Sequence, residues 1–499
     1  MNKLLLVAAT IIMLGQAATA RSVPALRIVE SPRDTVTRAT AEIVGVADPG
    51  ASVTVNDIAV KVYKTGTFAT TVDLSLGAND ICVEAVTSDG ATVTRTQQCF
   101  RAEKSQAEFR SATEDEAPVM MFASPRRVVT LEDAFLQYGN GDDRLGGSKM
   151  GFIDPEIVLE AIGTKGSLYC VRLASDRIAY IPKRLTRPAD MATPTGVVNT
   201  ESWSIVNTGR TDDVTIGLPR RLAYRYSTES SPSTIVVDIF GATDNSNWIT
   251  QRTLDLGVID HTDFRQVGED TYRVYIYLKT SHVWGYTVGY AGIGSTLRIS
   301  VRHRPELTLK GMTIGLDAGH GGENPGAISP SGLLEKDVNL DIVMRVRDLL
   351  HKRGASTVLT RYEDDGPSMS RRKEIWREGN IDLAVSVHNN AAGSYKVSGT
   401  AVLYKHAFNR DLAMCVARRL TQTGLDLFGV VGNFNFSLNA PTFCPNILVE
   451  GMFMTSPEDE QRLADPAFRR QVAEKIVLGL EDYLNLCKWH ICTSDNVVL

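Results

Sequence analysis

The sequence of 499 residues lacks an excess of positive charge, a Cys-x-x-Cys pair and, beyond its N-terminus, any long apolar run. Its 53 Lys and Arg residues are outnumbered by 58 Asp and Glu residues, which gives a formal net charge of −5. This balance argues against nucleic-acid binding, because such proteins neutralise phosphate with clustered basic side chains. The missing Cys-x-x-Cys pair argues against a cysteine zinc cluster. With 43% hydrophobic and 22% charged residues, the chain is not largely disordered.

The one apolar run that is present lies at the N-terminus. Leu4–Leu14 follows the positive charge of Lys3 and precedes Ala18-Thr19-Ala20, the pattern of small residues that a signal peptidase cleaves. A membrane-spanning helix needs about 20 apolar residues, and this run is shorter. We therefore expect residues 1–20 to be a signal peptide and the mature protein to be exported. An uncleaved membrane anchor is the alternative.

Seven cysteines matter because an exported chain can form disulfides. Cys82 and Cys99 flank Asp89-Gly90, a strong hairpin signal, so a bridge between them is predicted if the two positions are in register. Cys487 and Cys492 could close a short loop near the C-terminus. Seven is an odd number, so at least one thiol stays free in a monomer. The remaining cysteines are expected to be buried structural thiols: Cys170, Cys415 and Cys444.

The first three fifths of the chain is expected to consist of β-domains. Short β-type runs between turn signals predict an immunoglobulin-like sandwich over 24–103, and 104–125 lacks periodicity and is predicted as a linker. We expect a small barrel similar to bacterial Src-homology-3 modules over 126–200 and a further β-rich domain over 201–305. The clearest predicted strands there are Gly166–Arg172, Arg177–Ile181, Ser233–Ile239 and Thr271–Leu278.

From Thr313 onwards, the pattern changes to strands that alternate with amphipathic helices. This alternation predicts an α/β domain over 311–486, with a mostly parallel sheet and helices on both faces, followed by a tail over 487–499. The predicted elements are strand Thr313–Asp317, helix Lys336–Leu350, strand Ser356–Arg361, helix Ser370–Gly379, strands Leu383–His388 and Thr400–Tyr404, helix Arg410–Leu425, strand Asn446–Met452, and helices Pro457–Ala464 and Pro466–Leu484.

Four ionisable residues of this domain lie near the carboxyl ends of predicted strands or at the start of a helix. His320 follows the first strand, Glu335 opens the first helix, and His388 ends a later strand. Glu450 ends an apolar strand, where a lone carboxylate is costly unless it meets a cation or changes its pKa. Open α/β sheets bind ligands at these strand ends. Two imidazoles and a carboxylate suit a catalytic zinc, and a second carboxylate suits its base.

Six segments around these residues carry a resemblance to a known family: Ile314-Gly-Leu-Asp-Ala-Gly-His-Gly-Gly322, Gly326-Ala327, Gly332–Leu340, Leu359-Thr-Arg361, Ser386-Val-His-Asn-Asn390 and Pro445–Phe453. In this order they resemble zinc-dependent N-acetylmuramoyl-L-alanine amidases, over about Gly311–Leu486. The resemblance implies that His320, Glu335 and His388 hold zinc and that Glu450 is the catalytic carboxylate. It also implies peptidoglycan as the substrate, in the periplasm or at the cell wall, with the β-domains as candidate contacts for cell-wall or division proteins.

Two further comparisons with that family concern the surroundings of the predicted ligands. Asn389 directly follows the predicted ligand His388, at a position where the family more often has Ala. A residue beside a metal ligand can change how that ligand is oriented. Some relatives carry an inhibitory helix between the second His and the catalytic Glu. Only 61 residues separate His388 from Glu450 here, and strands and one helix already occupy them, so we expect no such insertion.

Two other functions stay open at this point. An exported zinc peptidase or deacetylase is one, because His/Glu/His ligation does not fix which bond is cut. The other is a non-catalytic peptidoglycan binder that activates other hydrolases, which the β-rich part of the chain would suit. An intact Glu450 argues against such a silent protein.

Overall fold

The computed structural model describes residues 25–103, 118–139, 149–190, 192–231, 233–246, 248–251 and 254–494. The signal peptide predicted for 1–20 and most of the linker predicted for 104–125 lie outside the described residues. The chain divides into two compact units, Met1–Lys104 and Ser105–Leu499. In the part of the chain that is described, no helix combines the length and the apolar character needed to cross a membrane.

The first unit is a sandwich of two β-sheets. Its strands are β1 (Leu26–Glu30), β2 (Thr35–Val36), β3 (Thr40–Ala47), β4 (Ser52–Val55), β5 (Ile58–Val60), β6 (Thr67–Asp73), β7 (Gly77–Val86) and β8 (Thr92–Arg101). One sheet has the order β1-β3-β6 and the other β2-β8-β7-β4-β5. Alternate side chains of both sheets, among them Ile43, Phe68 and Ile81, form the buried core.

The register of the β7–β8 hairpin does not meet the condition for a bridge between Cys82 and Cys99. Cys82 lies opposite Thr96, three positions from Cys99. Because side chains alternate between the faces of a strand, an odd displacement puts the two thiols on opposite faces. Cys99 is accordingly buried and Cys82 exposed, and both are free. Cys487 is also a free thiol, and the side chain of Cys492 lies outside the described residues.

The second unit begins with a seven-stranded antiparallel sheet. Its strands are β9 (Met120–Thr130), β10 (Phe135–Gln137), β11 (Lys149–Phe152), β12 (Val158–Lys165), β13 (Leu168–Ala174), β14 (Arg177–Pro182) and β15 (Thr186–Pro188), in the spatial order β11-β10-β14-β13-β12-β9-β15. The linker predicted to extend to residue 125 is therefore wrong at its end. Met120 and Met121 at the start of β9 pair with β12 through their main chain, while most side chains of the first half of β9 stay exposed, so hydrophobic periodicity does not mark it.

Eleven further strands form a second β-rich region. They are β16 (Val198–Asn199), β17 (Trp203–Asn207), β18 (Thr211–Ile216), β19 (Tyr224–Ser230), β20 (Ser233–Phe240), β21 (Ala242–Thr243), β22 (Ile249–Gln251), β23 (Ile259–Gln266), β24 (Thr271–Leu278), β25 (Tyr286–Tyr290) and β26 (Leu297–Arg302). The main sheets have the orders β22-β17-β18-β26-β25 and β19-β20-β24-β23. Their buried side chains and those of the preceding sheet form one continuous apolar core. The four clearest predicted strands are confirmed as β13, β14, β20 and β24.

The rest of the second unit is an α/β domain on a single six-stranded sheet. Its strands are β27 (Thr313–Ala318), β28 (Ser356–Leu359), β29 (Leu383–Asn390), β30 (Thr400–Leu403), β31 (Leu427–Val431) and β32 (Asn446–Phe453). Its helices are α1 (Glu335–Lys352), α2 (Met369–Glu378), α3 (Arg410–Thr421), α4 (Pro457–Ala464) and α5 (Pro466–Ser494). The order is β28-β27-β29-β32-β30-β31, and only β30 and β32 run antiparallel among neighbours. The predicted mostly parallel sheet is confirmed.

Different elements pack on the two faces of this sheet. Helices α1, α3 and α5 pack on one face through a continuous core that includes Leu316, Val385 and Val449. Of the described helices, only α2 covers the opposite face, where Trp376 packs beside Ala384. Helices on both faces are thus present as predicted, but the second face has a single helix.

The preceding β-rich region also packs against the α/β domain. The main-chain N–H of Tyr286 in β25 donates to the carbonyl of Thr442 (2.8 Å), and the Thr442 hydroxyl donates to the carbonyl of Tyr286 (2.7 Å). Trp284 is 2% exposed, belongs to the apolar core of the α/β domain and stacks on Tyr483 of α5, with ring centroids 5.8 Å apart. The core of the α/β domain therefore includes a residue of the β-rich region.

Three details of the α/β domain differ from the predictions. Helix α3 ends at Thr421 instead of residue 425, because Gly424 turns the chain at a φ of 82°. The edge strand β31 was not predicted; it pairs with β30 alone. Helix α5 continues to Ser494, eight residues into the tail predicted for 487–499. Between His388 and Glu450, where every residue is described, α3 is the one α-helix.

Candidate metal centre

The first predicted ligand, His320, follows β27 in a backbone conformation that residues with a side chain rarely adopt. Its φ is 64°. The turn continues through Gly321 and Gly322, with φ values of 123° and 59°. A Cβ at Gly321 would overlap the carbonyl oxygen of Asp365, so this position requires glycine. The glycines of the sequence motif thus serve the turn that carries His320.

Two buried arginines hold this turn. Arg372 of α2 donates to the carbonyl oxygens of His320 (2.6 Å) and Ala318 (2.9 Å). Arg361, which follows β28, donates to those of Ala318 (2.9 Å) and Gly319 (3.1 Å). Hydrogen bonds from charged donors are roughly twice as strong as neutral ones. Because both side chains are almost fully buried, these bonds fix the backbone from Ala318 to His320.

A buried carboxylate balances this positive charge. Asp317, 1% exposed, pairs with Arg372 (2.6 Å) and accepts hydrogen bonds from the hydroxyls of Thr360 and Ser386 (both 2.6 Å). Burial alone would raise the pKa of Asp317, but Arg372 and the other partners hold it below its usual value. The role of Asp317 was not predicted, although this residue ends an apolar strand as Glu450 does and a lone carboxylate is costly there for the same reason.

Glu335, the first residue of α1, is 3% exposed and lies between the two predicted histidine ligands. Its Oε2 accepts a hydrogen bond from the N–H of Ala327 (2.8 Å) and lies 3.1 Å from Nε2 of His320. Its Oε1 accepts from the N–H of Asn389 (3.1 Å) and lies 3.1 Å from Nδ1 of His388. Burial alone would raise the pKa of Glu335, but the two histidines hold it well below its usual range, so this carboxyl is charged at neutral pH.

His388 lies near the carboxyl end of β29, beside Glu450 of β32 in the sheet register. Its ring meets that of His320 edge-on, with centroids 4.9 Å apart. A Cβ at Gly319 would overlap the His388 ring, so this glycine makes room for it. Burial lowers the pKa of His388, but the hydrogen bond with Glu335 and the charge of Glu450 outweigh it and raise the pKa above its usual value.

The donor atoms of His320, Glu335 and His388 lie within 4.8 Å of one another. In a tetrahedral zinc site with bonds of about 2.0–2.1 Å, neighbouring ligand atoms stand about 3.3 Å apart. The two N···O distances of 3.1 Å are close to that value. Asn324 Oδ1 lies 3.2 Å from Nδ1 of His320, which leaves Nε2 for a metal. The three residues therefore fit a zinc ion with one coordination position open.

Asn389 connects the two carboxylates of the site. Its Nδ2 donates to Oδ1 of Asn339 (2.8 Å), whose Nδ2 lies 3.2 Å from Oε1 of Glu335. Its Oδ1 accepts from the N–H of Met452 (3.1 Å), where the register between β29 and β32 shifts. The Asn389 side chain thus ties Glu335 to the strand that carries Glu450, which an alanine at this position could not do.

Glu450 lies between β29 and β30, opposite His388 on one side and Ala401 on the other. Its Oε2 is buried and has no hydrogen-bond partner among the described residues. Burial raises the pKa of Glu450 to about 7, with His388 opposing this effect and Glu335 adding to it. The structure thus places an uncommitted carboxyl, half protonated near neutral pH, beside the three converging donors.

The raised pKa of Glu450 makes the metal-free protein less stable as the pH rises. Between pH 4.5 and 7, folded Glu450 stays mostly protonated while the unfolded chain is ionised, so the folded state binds more protons and the free energy of unfolding falls. Glu450→Gln removes this loss, which amounts to about 3 kcal/mol at most. In thermal melts with EDTA, we expect the variant to have a higher melting temperature than the wild type at pH 8 and the same melting temperature below pH 4.5. An equal difference in melting temperature at both pH values would contradict the raised pKa.

Comparison with known proteins places the α/β domain among amidases. A family model described as N-acetylmuramoyl-L-alanine amidase matches residues 314–482. The germination-specific N-acetylmuramoyl-L-alanine amidase of Bacillus subtilis is 32% identical over 197 residues, which cover 36% of this chain and 81% of that protein. N-acetylmuramoyl-L-alanine amidase AmiC of Neisseria meningitidis is 31% identical over 217 residues, which cover 34% of this chain and 52% of that protein.

A solved structure, N-acetylmuramoyl-L-alanine amidase AmiC2 of Nostoc punctiforme, is 35% identical, with 35% of this chain and 97% of that chain covered and a TM-score of 0.34. This chain spans only about half the length of some curated relatives, such as the 52% of AmiC. The germination-specific relative, by contrast, is matched over most of its length at 32% identity. Together with the family model, this match shows that the chain belongs to the N-acetylmuramoyl-L-alanine amidase family.

Proposed function

We propose that the protein hydrolyses the amide bond between N-acetylmuramic acid and L-alanine in peptidoglycan, for cell-wall remodelling or the separation of daughter cells. One observation carries this proposal. His320, Glu335 and His388 converge on one point beside the uncommitted Glu450, inside the domain that the amidase family model matches. The arrangement has the parts that a metal-dependent hydrolase requires.

Zinc is the metal that this donor set favours. Nε2 of His320, Nδ1 of His388 and the carboxylate of Glu335 would hold it. When bound, zinc lowers the pKa of water and polarises a carbonyl oxygen. Around it, Asp317 with its arginine partners fixes the His320 turn, and Asn389 fixes Glu335. These contacts hold the donors in position before a metal arrives.

Glu450 would carry the proton during the reaction. It accepts a proton from the water that attacks the lactyl carbonyl carbon, and returns it to the nitrogen of L-alanine as the carbon–nitrogen bond breaks. The products are a carboxylate on the glycan and an amine on the peptide. A general base works best when its pKa lies near the working pH. In the metal-free protein, burial raises the pKa of Glu450 above its ordinary value.

The rest of the chain has proposed roles as well. Residues 1–20 would direct export, so that the enzyme works in the periplasm or at the cell wall. The two-sheet sandwich of the first unit would be an immunoglobulin-like module, and the seven-stranded sheet a small barrel of the Src-homology-3 type. Such modules would hold the enzyme at peptidoglycan or contact cell-wall and division proteins.

Analysis of the products tests the proposed bond. Purified peptidoglycan is digested and its soluble products are identified by mass spectrometry. We expect free peptides that begin with L-alanine and glycan strands without peptides. Cleavage within the stem peptides would indicate a peptidase, loss of acetyl groups a deacetylase, and an intact sacculus a non-catalytic binder. Each of these three results would overturn the amidase assignment.

Zinc content tests the proposed ligands. The full-length protein should contain about one zinc per chain, and His320→Ala and His388→Ala should each lose it, because two remaining ligands bind the metal weakly. His351→Ala is a matched control, since His351 is an exposed histidine of α1 and contacts Thr357 instead of the site. Elemental analysis after gel filtration measures the metal. Full occupancy in either of the first two variants would contradict that ligand.

A further inference from the structure

A cavity of about 240 Å³ lies where the β-rich region of the second unit meets the α/β domain. Its walls come from residues 132–133 and 152–155, strands β19 and β25, helix α2 and residues 437–443. None of the four residues proposed for the metal centre lines it. Ligand sites often form at such junctions, and sites for drug-sized molecules usually exceed about 300 Å³. This cavity therefore suits a smaller ligand, of the size of one sugar or one or two amino acids.

Charged side chains of both signs line the cavity, and the acidic ones are Glu132, Asp133 and Asp154. Two basic residues of α2 line it one helical turn apart, Lys373 and Arg377. Lys373 pairs with Asp133 at 2.8 Å. Arg377 is exposed, and its guanidinium forms no hydrogen bond or salt bridge with the described residues, although its charge helps to lower the pKa of Asp133. The guanidinium lies 5.9 Å from the centre of the Phe443 ring. A guanidinium without an ion-pair partner favours a ligand carboxylate, which it can bind through two hydrogen bonds.

The opposite wall offers aromatic faces and a free hydroxyl. Tyr226 stacks on Tyr224 at 6.3 Å between ring centroids. The Tyr224 hydroxyl is committed to Asp154 (2.9 Å), whereas that of Tyr226 has no hydrogen-bond partner in the described part of the chain. Burial raises the pKa of Tyr226 to about 12, so its hydroxyl stays a neutral donor. Aromatic faces of this kind suit the carbon–hydrogen face of a sugar ring.

Hydrogen-bond acceptors complete the lining. Oδ2 of Asp154 accepts from Tyr224 and from the N–H of Tyr290 (2.7 Å), but its Oδ1 makes no hydrogen bond with the described residues. Glu132 also lines the cavity and is exposed. Carboxylates accept hydrogen bonds from hydroxyl groups. The cavity thus combines a guanidinium without a direct ion pair, one neutral donor, acidic acceptors and aromatic walls. This set can bind both the carboxylate and the hydroxyl groups of an acidic sugar.

We propose that this cavity binds an N-acetylmuramic acid residue whose lactyl carboxylate is free, with that carboxylate on Arg377. The proposal rests on the proposed function, because hydrolysis of the lactyl amide gives this group: water adds across the carbon–nitrogen bond, leaving a carboxylate on the sugar and an amine on the peptide. In the uncut substrate the same position is a neutral amide. The cavity therefore prefers the glycan product and holds the enzyme on strands that have lost their peptides.

Two matched sugars test the proposal by isothermal titration calorimetry on the full-length protein. N-Acetylmuramic acid should bind, and N-acetylglucosamine, which lacks the lactyl group, should bind at least roughly tenfold more weakly, because it loses a charge-assisted pair. Arg377→Met should abolish this preference and Tyr226→Phe should weaken binding of the acidic sugar. Arg371→Met is the control: Arg371 is exposed on the same helix, pairs with Glu378 and does not line the cavity.

Several results would overturn the proposal. Equal affinity for the two sugars would show that the carboxylate is not recognised, and unchanged binding in Arg377→Met would place the sugar elsewhere. Binding of D-alanyl-D-alanine in place of the sugar, sensitive to Arg377→Met, would make the cavity a peptide site. Amide cleavage is measured on the same samples. Selective sugar binding without cleavage would contradict the proposed function alone, and cleavage without sugar binding would contradict this site alone.

Discussion

Glu450→Gln should keep its zinc and its fold and lose amide cleavage by a factor of roughly 10²–10⁴, the usual contribution of general acid–base catalysis. The amide has nearly the shape of the carboxyl, so the packing between β29 and β30 should persist. It cannot accept the proton of the attacking water. Since Oε2 of Glu450 has no partner among the described residues, the substitution breaks no hydrogen bond of that atom. Zinc content, circular dichroism and cleavage rate are measured on one preparation.

Glu335→Gln is the matched comparison, because it makes the same chemical change in the other carboxyl of the site. Glu335 accepts hydrogen bonds from two main-chain N–H groups and lies between both histidines, so its charge is part of the proposed metal site. Zinc affinity and cleavage should fall together in this variant. If Glu450→Gln loses its metal while Glu335→Gln keeps it, the two carboxyls have been assigned the wrong way round.

Arg372→Met should destabilise the α/β domain by about 3–5 kcal/mol, the usual cost of removing one partner from a buried ion pair. Asp317 would lose its charged partner while it stays buried, and the carbonyl of His320 would lose its donor. Zinc affinity should fall as well, because the His320 turn is no longer fixed. Chemical denaturation followed by tryptophan fluorescence measures the stability, and competition with a chromophoric chelator measures the affinity.

Two controls show whether the buried charge causes this effect. Arg371→Met changes the neighbouring, exposed arginine and should alter stability by less than about 0.5 kcal/mol. Combining Arg372→Met with Asp317→Asn removes the unpaired charge and should recover part of the lost stability without restoring zinc affinity. A double variant as unstable as Arg372→Met alone would show that packing, and not the unpaired carboxylate, sets the cost.

The positions of the predicted site residues could be derived from the sequence because they depend on the local pattern of apolar and polar residues. Strand ends are visible in hydrophobic periodicity, and parallel strands bring their carboxyl ends to one edge, which places His388 beside Glu450. The supporting groups depend on contacts between distant parts of the chain. Arg372 reaches Asp317 from 55 positions away, through a helix whose face toward the sheet the sequence pattern does not specify.

The errors in the β-rich part have similar causes. Whether Cys82 and Cys99 can bridge depends on register, and the residues between them do not fix that register to one position. The first half of β9 exposes most of its side chains, so it gives no periodic signal. The edge strand β31 is short and pairs on one side alone. In each case main-chain pairing, which leaves little trace in side-chain chemistry, determined the outcome.

Trp284 has a consequence for how this chain can be divided. A protease that cuts the exposed connection at Arg304 or Glu306 leaves Trp284 seated against Tyr483 and Arg302 paired with Asp382 at 2.7 Å. The two pieces should then stay together as a non-covalent complex. A recombinant fragment that starts at Pro305 lacks the tryptophan and leaves Tyr483 uncovered, so we expect it to be less soluble than the full chain. Addition of the separately produced β-rich piece should increase its solubility.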